Sequence, residues 1–122
     1  MRVRGKFAHV YRESETATIA RAINLLPPAY DAEAQSWKVF GRGDTIVRIG
    51  TRATMLTYMK GRKDQWWRMT KTGNISDPGL KLVKTPTEWD VREPILDTPV
   101  FSGTAYMCKW YLIGRQDEFL GL

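Results

Sequence analysis

Within its first 28 residues the chain changes hydrophobic period, and that change limits the folds open to it. Residues 2–12, RVRGKFAHVYR, alternate with period two. Val3, Phe7, His9 and Tyr11 share one side and Arg2, Arg4 and Lys6 the other, the pattern of a strand with one face turned inward. Residues 14–26, SETATIARAINLL, then set Ile19, Ile23 and Leu26 at i, i+4 and i+7, a helical stripe. Ser14 is placed to cap that helix and Glu15 suits its first turn, and Pro27 and Pro28 end it. A strand running straight into a helix predicts a mixed α and β chain.

The remaining segments follow the same reading. SWKVF (36–40) and TIVRI (45–49) read as strands joined by the turn GRGD (41–44), and LKLVK (80–84) as another strand. TRATMLTYMKG (51–61) reads as a helix over 52–60, capped by Thr51 and terminated by Gly61. QWWRMTK (65–71) reads as a strand. The alternative is one helix running through Met55, Met59, Arg62, Trp66 and Met69. The proline-rich and acidic residues 85–99 read as a long irregular connection, and TAYMCKWYLIG (104–114) as a central strand in which Lys109 is the odd member. The expected fold is α+β, one compact domain over 1–122, with a mainly antiparallel sheet and one or two helices in the order β-α-β-β-α-β-β. No internal repeat is apparent on this reading.

Several function classes are disfavoured by residue type. Cys108 is the only cysteine and His9 the only histidine, so a disulfide, a cysteine zinc site and a multi-histidine metal site are excluded. A serine triad would need His9 as its base, but that residue sits in a strand pattern among apolar neighbours. Cys108 lies in the most apolar segment and reads as core. Asp90, Glu93 and Asp97 are close in sequence, but Pro94 and a loop-like setting make them acidic decoration rather than a metal site. No phosphate-cradling glycine loop is present. The RGD tripeptide at 42–44 and the NIS sequon at 74–76 need an extracellular setting, which nothing in the sequence indicates. The chain is therefore expected to be no enzyme and to need no cofactor or metal. The charged, alternating N-terminus does not resemble a secretory signal, and no apolar run approaches a membrane span. A cytoplasmic location without membrane association is expected.

Charge points to a partner class. The net charge is +6, and it is uneven: residues 1–71 hold 14 Lys/Arg against 6 Asp/Glu, the rest 5 against 7. A basic front favours a polyanion. The segment KGRKDQWWRMTK (60–71) interleaves cations with two tryptophans, which suits phosphate contacts with base stacking and equally a protein-interface hot spot. As a strand it would bury one tryptophan and expose the other. Trp66 is expected outside, since Asp64, Arg68 and Thr70 share its face, and Trp67 inside with Met69. The expected contacts are Arg2, Arg4, Lys6, Arg62, Lys63, Trp66 and Arg68.

Residues 7–39 add a resemblance. The order of aromatic strand, helix, Leu26-Pro27, Tyr30-Asp31 and then Trp37 in a strand resembles the HARP-type module of annealing helicases, with Phe7, Tyr11 and Ile19 also matching its pattern. It is similar too to the small recognition domains attached to some phage and repair helicases. The likeness covers about a quarter of the chain, with no helicase motor. It implies DNA binding at forks or distorted duplexes. The expected function is a small nucleic-acid-binding protein of low sequence specificity, with single-stranded or distorted duplex DNA favoured. The alternative is a phage or mobile-element type inhibitor or adaptor that binds an acidic host protein.

Overall fold

The computed structural model describes residues 27–41, 45–95 and 97–122. The strand expected at 2–12, the helix at 14–26 and the RGD residues lie outside them. The described chain is α+β with antiparallel sheets. β1 (Ala29–Asp31), β2 (Ser36–Phe40) and β3 (Ile46–Gly50) form one three-stranded sheet. Helix α1 (Arg52–Thr70) follows. β4 (Lys81–Lys84), β5 (Trp89–Arg92) and β6 (Pro99–Gly103) form a second sheet, and α2 (Ala105–Leu120) closes the chain. By packing, the chain divides into two units, one ending at Met55 and one spanning Leu56–Leu122.

Four expectations are corrected. Residues 65–71 are not a strand: as in the alternative of one long helix, 65–70 are the last turns of α1, and Lys71 follows them. The buried stripe of that helix is Met55, Tyr58, Met59, Arg62 and Gln65, which repeats with helical period but includes an arginine and a glutamine, so a hydrophobicity pattern hides it. Residues 104–114 are not a strand but the start of α2. Cys108, Tyr111, Gly114, Arg115 and Glu118 form its buried stripe, and Lys109 is simply on its solvent side. The Thr104 hydroxyl caps α2 by accepting the Met107 N–H at 3.2 Å. At the far end Gly121 takes a left-handed conformation, φ 80°, and the N–H groups of Gly121 and Leu122 close onto the Glu118 and Asp117 carbonyls, a Schellman ending. The stretch 85–99 is not wholly irregular, since it contains β5. The expected antiparallel pairing is present, divided between the two sheets.

The fourth correction is that the chain repeats itself. Over the described residues each half reads β-β-β-α. Gly50-Thr51 precedes α1 as Gly103-Thr104 precedes α2. At the same constant spacing, Tyr58, Gly61, Arg62 and Asp64 find counterparts in Tyr111, Gly114, Arg115 and Asp117. The central strands share Trp-x-Val: Trp37 pairs with Gly50 and Val39 with Arg48, while Trp89 pairs with Gly103 and Val91 with Phe101. Both sheets carry their irregularity at the same place, after Val39 and after Val91. Val39 and Val91, Met55 and Cys108, and Tyr58 and Tyr111 are all buried. Self-similarity at a fixed spacing is the mark of a repeated supersecondary unit.

In the first unit, Thr51 caps α1: its hydroxyl accepts the Thr54 N–H at 3.2 Å. The cap works because the helix starts directly against the sheet. A side chain at Gly50 would meet the Thr54 hydroxyl at 2.8 Å. The β1–β2 hairpin is held by Tyr30 against Trp37, ring centroids 5.2 Å apart. Asp31 holds its turn by accepting the Glu33 and Ala34 N–H groups. Its carboxylate also pairs with Lys38 at 2.5 Å, and that contact foremost holds its pKa below the usual range. Tyr30, Asp31 and Trp37, which carry part of the HARP-like pattern, thus build a hairpin.

In the second unit, Val91, Cys108 and Tyr111 centre a core that Leu80, Leu82, Trp89, Val100, Phe101 and Leu112 complete. Phe101 stacks on Tyr111 at 4.8 Å. The two helices meet at Gly61 and Gly114. A Cβ on Gly61 would lie 2.2 Å from the Tyr111 carbonyl oxygen, and one on Gly114 2.1 Å from that of Tyr58. Gly61, expected to terminate a helix, is instead the point that lets two backbones touch.

Candidate nucleic-acid interface

Two faces of α1 take opposite tasks. Its inner face joins α2 in a reciprocal set of hydrogen bonds, residue i meeting j as j meets i. The Tyr58 hydroxyl donates to Asp117 Oδ2 and the Tyr111 hydroxyl to Asp64 Oδ2, each at 2.7 Å. Arg62 donates through Nε to Glu118 Oε1 at 3.0 Å, and Arg115 through Nε to Gln65 Oε1 at 2.9 Å. Each arginine also donates through NH1 to its own tyrosine, Arg62 to Tyr58 and Arg115 to Tyr111, at 2.8 Å. Arg62 further donates to the Leu122 carbonyl. Burial foremost, and then the hydrogen bond to Asp117, pushes the Tyr58 phenol above its usual pKa. The Tyr111 phenol is pushed up chiefly by burial, with the Asp64 bond adding to it.

Arg62 is therefore not a phosphate ligand. Its side chain is fully buried and ion-paired, because the helix turns it onto α2 rather than outward. The tryptophans also exchange places relative to expectation. Adjacent residues on a helix stand about 100° apart rather than on opposite faces, and it is Trp67 that is open, 57% exposed, while Trp66 is half-buried. Arg68 donates to both the carbonyl and the hydroxyl of Ser76, so part of its guanidinium is used in holding the loop after α1. Lys63 is exposed as expected. Arg2, Arg4 and Lys6 lie outside the described residues.

The outer face of α1 carries Lys60, Lys63, Trp67 and, one residue past the helix, Lys71. Successive members are three or four residues apart, which lines them along one side of a helix. All four are exposed. The Lys71 ammonium stands 5.6 Å from the Trp66 ring centre and 5.9 Å from that of Trp67, within cation–π reach. Lys60 pairs with Asp64 at 3.3 Å across one turn, a contact exposed enough to be exchanged for another anion. Sequence reasoning found Lys63, missed Lys60 and Lys71, and preferred Trp66 to Trp67 for stacking, since a period-two reading put Trp67 inside.

Beside this stripe lies an open groove of about 440 Å³, bordered by Trp67, Arg68, Asn74 and Glu93 and with Tyr111 and Arg115 among its lining. Elsewhere in the second unit, Asp90 accepts from Ser102 at 2.7 Å and from Arg92 at 2.8 Å. Those two contacts, Ser102 first, lower its pKa. Burial foremost, with the Asp90 and Glu88 charges nearby, raises that of the Cys108 thiol. A low pKa and exposure are what a reactive thiol needs, and Cys108 has neither.

Among the described residues no group of three or more His, Cys, Asp or Glu is placed to hold a metal ion. No helix among them is long and apolar enough to cross a membrane. No protein-family model, curated protein or solved structure matches this chain.

Proposed function

We propose that the protein binds nucleic acid through the outer face of α1, with Lys63 and Lys71 at phosphates, Lys60 joining them and Trp67 stacking on a base. One observation carries the reading. The second half of the chain keeps the inner-face tyrosine, glycine, arginine and aspartate of the first, yet has Ile113, Gln116 and Leu120 where the first has Lys60, Lys63 and Trp67. The same helix thus packs without the stripe, so packing does not explain it. An exposed aromatic set among cations fits a strand of nucleic acid, where stacking is worth about 1–3 kcal/mol per base and each neutralised phosphate adds a salt-dependent term. The HARP-like pattern at 7–39 supports single-stranded or distorted duplex DNA as the preferred form.

Fluorescence anisotropy with labelled single and double strands at several salt concentrations tests this. Binding should weaken with a log–log slope of about −0.7 per phosphate contacted on single strands, so about −2 for three lysines. Trp67→Ala should weaken it by about 1–3 kcal/mol, and Lys63→Ala with Lys71→Ala should flatten the salt slope. Absence of binding at low salt overturns the reading. It would leave the exposed Trp67 as an anchor for an acidic protein partner.

A further inference from the structure

The groove beside Trp67 has a chemistry of its own, and we infer that it takes one unpaired guanine of the bound strand; this rests on the nucleic-acid reading of α1. The groove brings together several parts of the second unit. Trp67 and Arg68 come from α1, Asn74 from the loop after it, and Glu93 from the residues after β5. Buried Tyr111 and Arg115 of α2 are also part of the lining. The Lys71 ammonium stands 5.9 Å from the Trp67 ring centre, and the ring is 57% exposed, so it has surface to offer a base.

The polar groups select which base. Among the described residues no hydrogen bond or ion pair engages the Glu93 carboxylate, whereas Asp64, the other acid on the groove, accepts from Tyr111 at 2.7 Å and from Lys60 at 3.3 Å. A free carboxylate beside a phosphate-binding stripe opposes phosphate. It accepts hydrogen bonds only, through two oxygens. The partner that satisfies both oxygens is a base edge with two adjacent N–H donors, and among the four DNA bases only guanine has one, N1–H beside its 2-amino group. Asn74 supplies the opposite sense. Its Oδ1 accepts from the Ser76 N–H at 3.1 Å and from the Ser76 hydroxyl at 2.6 Å, so its amide nitrogen remains as a donor for a carbonyl such as guanine O6. Arg68 keeps donors beyond the two given to Ser76, and these can meet the phosphate that follows the base. A groove of about 440 Å³ is in the range of small-molecule sites.

The test uses the full chain and labelled thymine oligomers with a single central guanine, adenine, cytosine or hypoxanthine, or none. The guanine oligomer should bind about 5- to 150-fold more tightly than plain oligo-thymine, the range for one bidentate base contact. Hypoxanthine keeps N1–H and O6 but lacks the amine, and should lose most of that gain. Glu93→Gln should remove the guanine preference and leave oligo-thymine affinity unchanged or slightly raised. Equal affinity for all oligomers overturns the guanine site while leaving the α1 interface standing. A guanine preference that survives Glu93→Gln, or survives the change to hypoxanthine, overturns it as well. If no oligomer binds, both readings fall.

Discussion

At the scale of single residues, the same side-chain type does different work depending on which way the helix turns it. Arg62 and Lys63 are neighbours in sequence, one sealed against Glu118 and the other in solvent. Arg62→Ala should cost about 3–5 kcal/mol of stability, because it removes the guanidinium that pairs with the buried Glu118 carboxylate. Lys63→Ala should cost less than about 0.5 kcal/mol, and thermal melts of the two variants compare them directly. Trp67→Ala should leave the melting temperature nearly unchanged, while Trp66→Ala should lower it, since only Trp66 is substantially covered. Equal melting shifts would contradict the placement of both rings. Cys108 should react slowly with thiol reagents in the native state and rapidly in denaturant, because it is buried with a raised pKa; rapid native labelling would reopen a role as a nucleophile. The sequence announced the burial of Cys108 through its apolar neighbours. It could not announce the burial of Arg62, because nothing in a run of cations distinguishes the one whose partner lies in a distant helix.

At the scale of elements, the crossing of α1 and α2 depends on Gly61 and Gly114. Replacing a mid-helix glycine by alanine normally gains about 1 kcal/mol of helix propensity. Here the sign should reverse. The new methyl of Gly61→Ala would sit 2.2 Å from a backbone carbonyl oxygen of the other helix, and that of Gly114→Ala 2.1 Å from its counterpart. Backbone cannot rotate away as a side chain can, so each variant should lose about 1–3 kcal/mol or more, read from denaturant midpoints. A stabilised variant at either position would show that the helices can part without loss. Strands bounded by turns, such as SWKVF and LKLVK, were legible because their signal is local. The C-terminal end of α1 and residues 105–114 of α2 were misread as strands because their buried stripes mix tyrosine, arginine, glutamine and glycine, residues whose place is set by the opposing helix. The repeat was legible in principle: Gly-Thr before each helix and Tyr-x-x-Gly-Arg-x-Asp within it can be read without coordinates, but a scan by hydrophobicity passes over a motif made of polar residues.

At the scale of the molecule, paired carboxylates in the sheets and paired tyrosines between the helices tie stability to pH at opposite ends of the range. In acid, Asp90 and Asp31 have lowered pKa values, so the stability they supply is present above the ordinary carboxylate pKa of about 4 and is lost as pH falls through their folded values. The alkaline limb is the more diagnostic. Tyr58 and Tyr111 both hold their protons more firmly in the folded chain than out of it. Tyr58 faces Arg62 and Asp117, and Tyr111 faces Arg115 and Asp64. In each case the cation opposes the upward shift, but burial outweighs it. Between the unfolded pKa of about 10 and the folded values, the folded state binds more protons than the unfolded one, so stability falls as pH rises. Below about pH 10 the two phenols contribute no pH dependence. In an alkaline titration, the phenolate absorbance of two of the five tyrosines should therefore appear together with the loss of helical circular dichroism, not before it. Tyr58→Phe with Tyr111→Phe should abolish that linked component while lowering stability at neutral pH, because each change removes a buried hydroxyl that bridges an arginine to an aspartate. Phenolate signal from all five tyrosines with the helical spectrum intact would show that the crossing admits hydroxide freely, and that the paired tyrosines do not hold the two helices together.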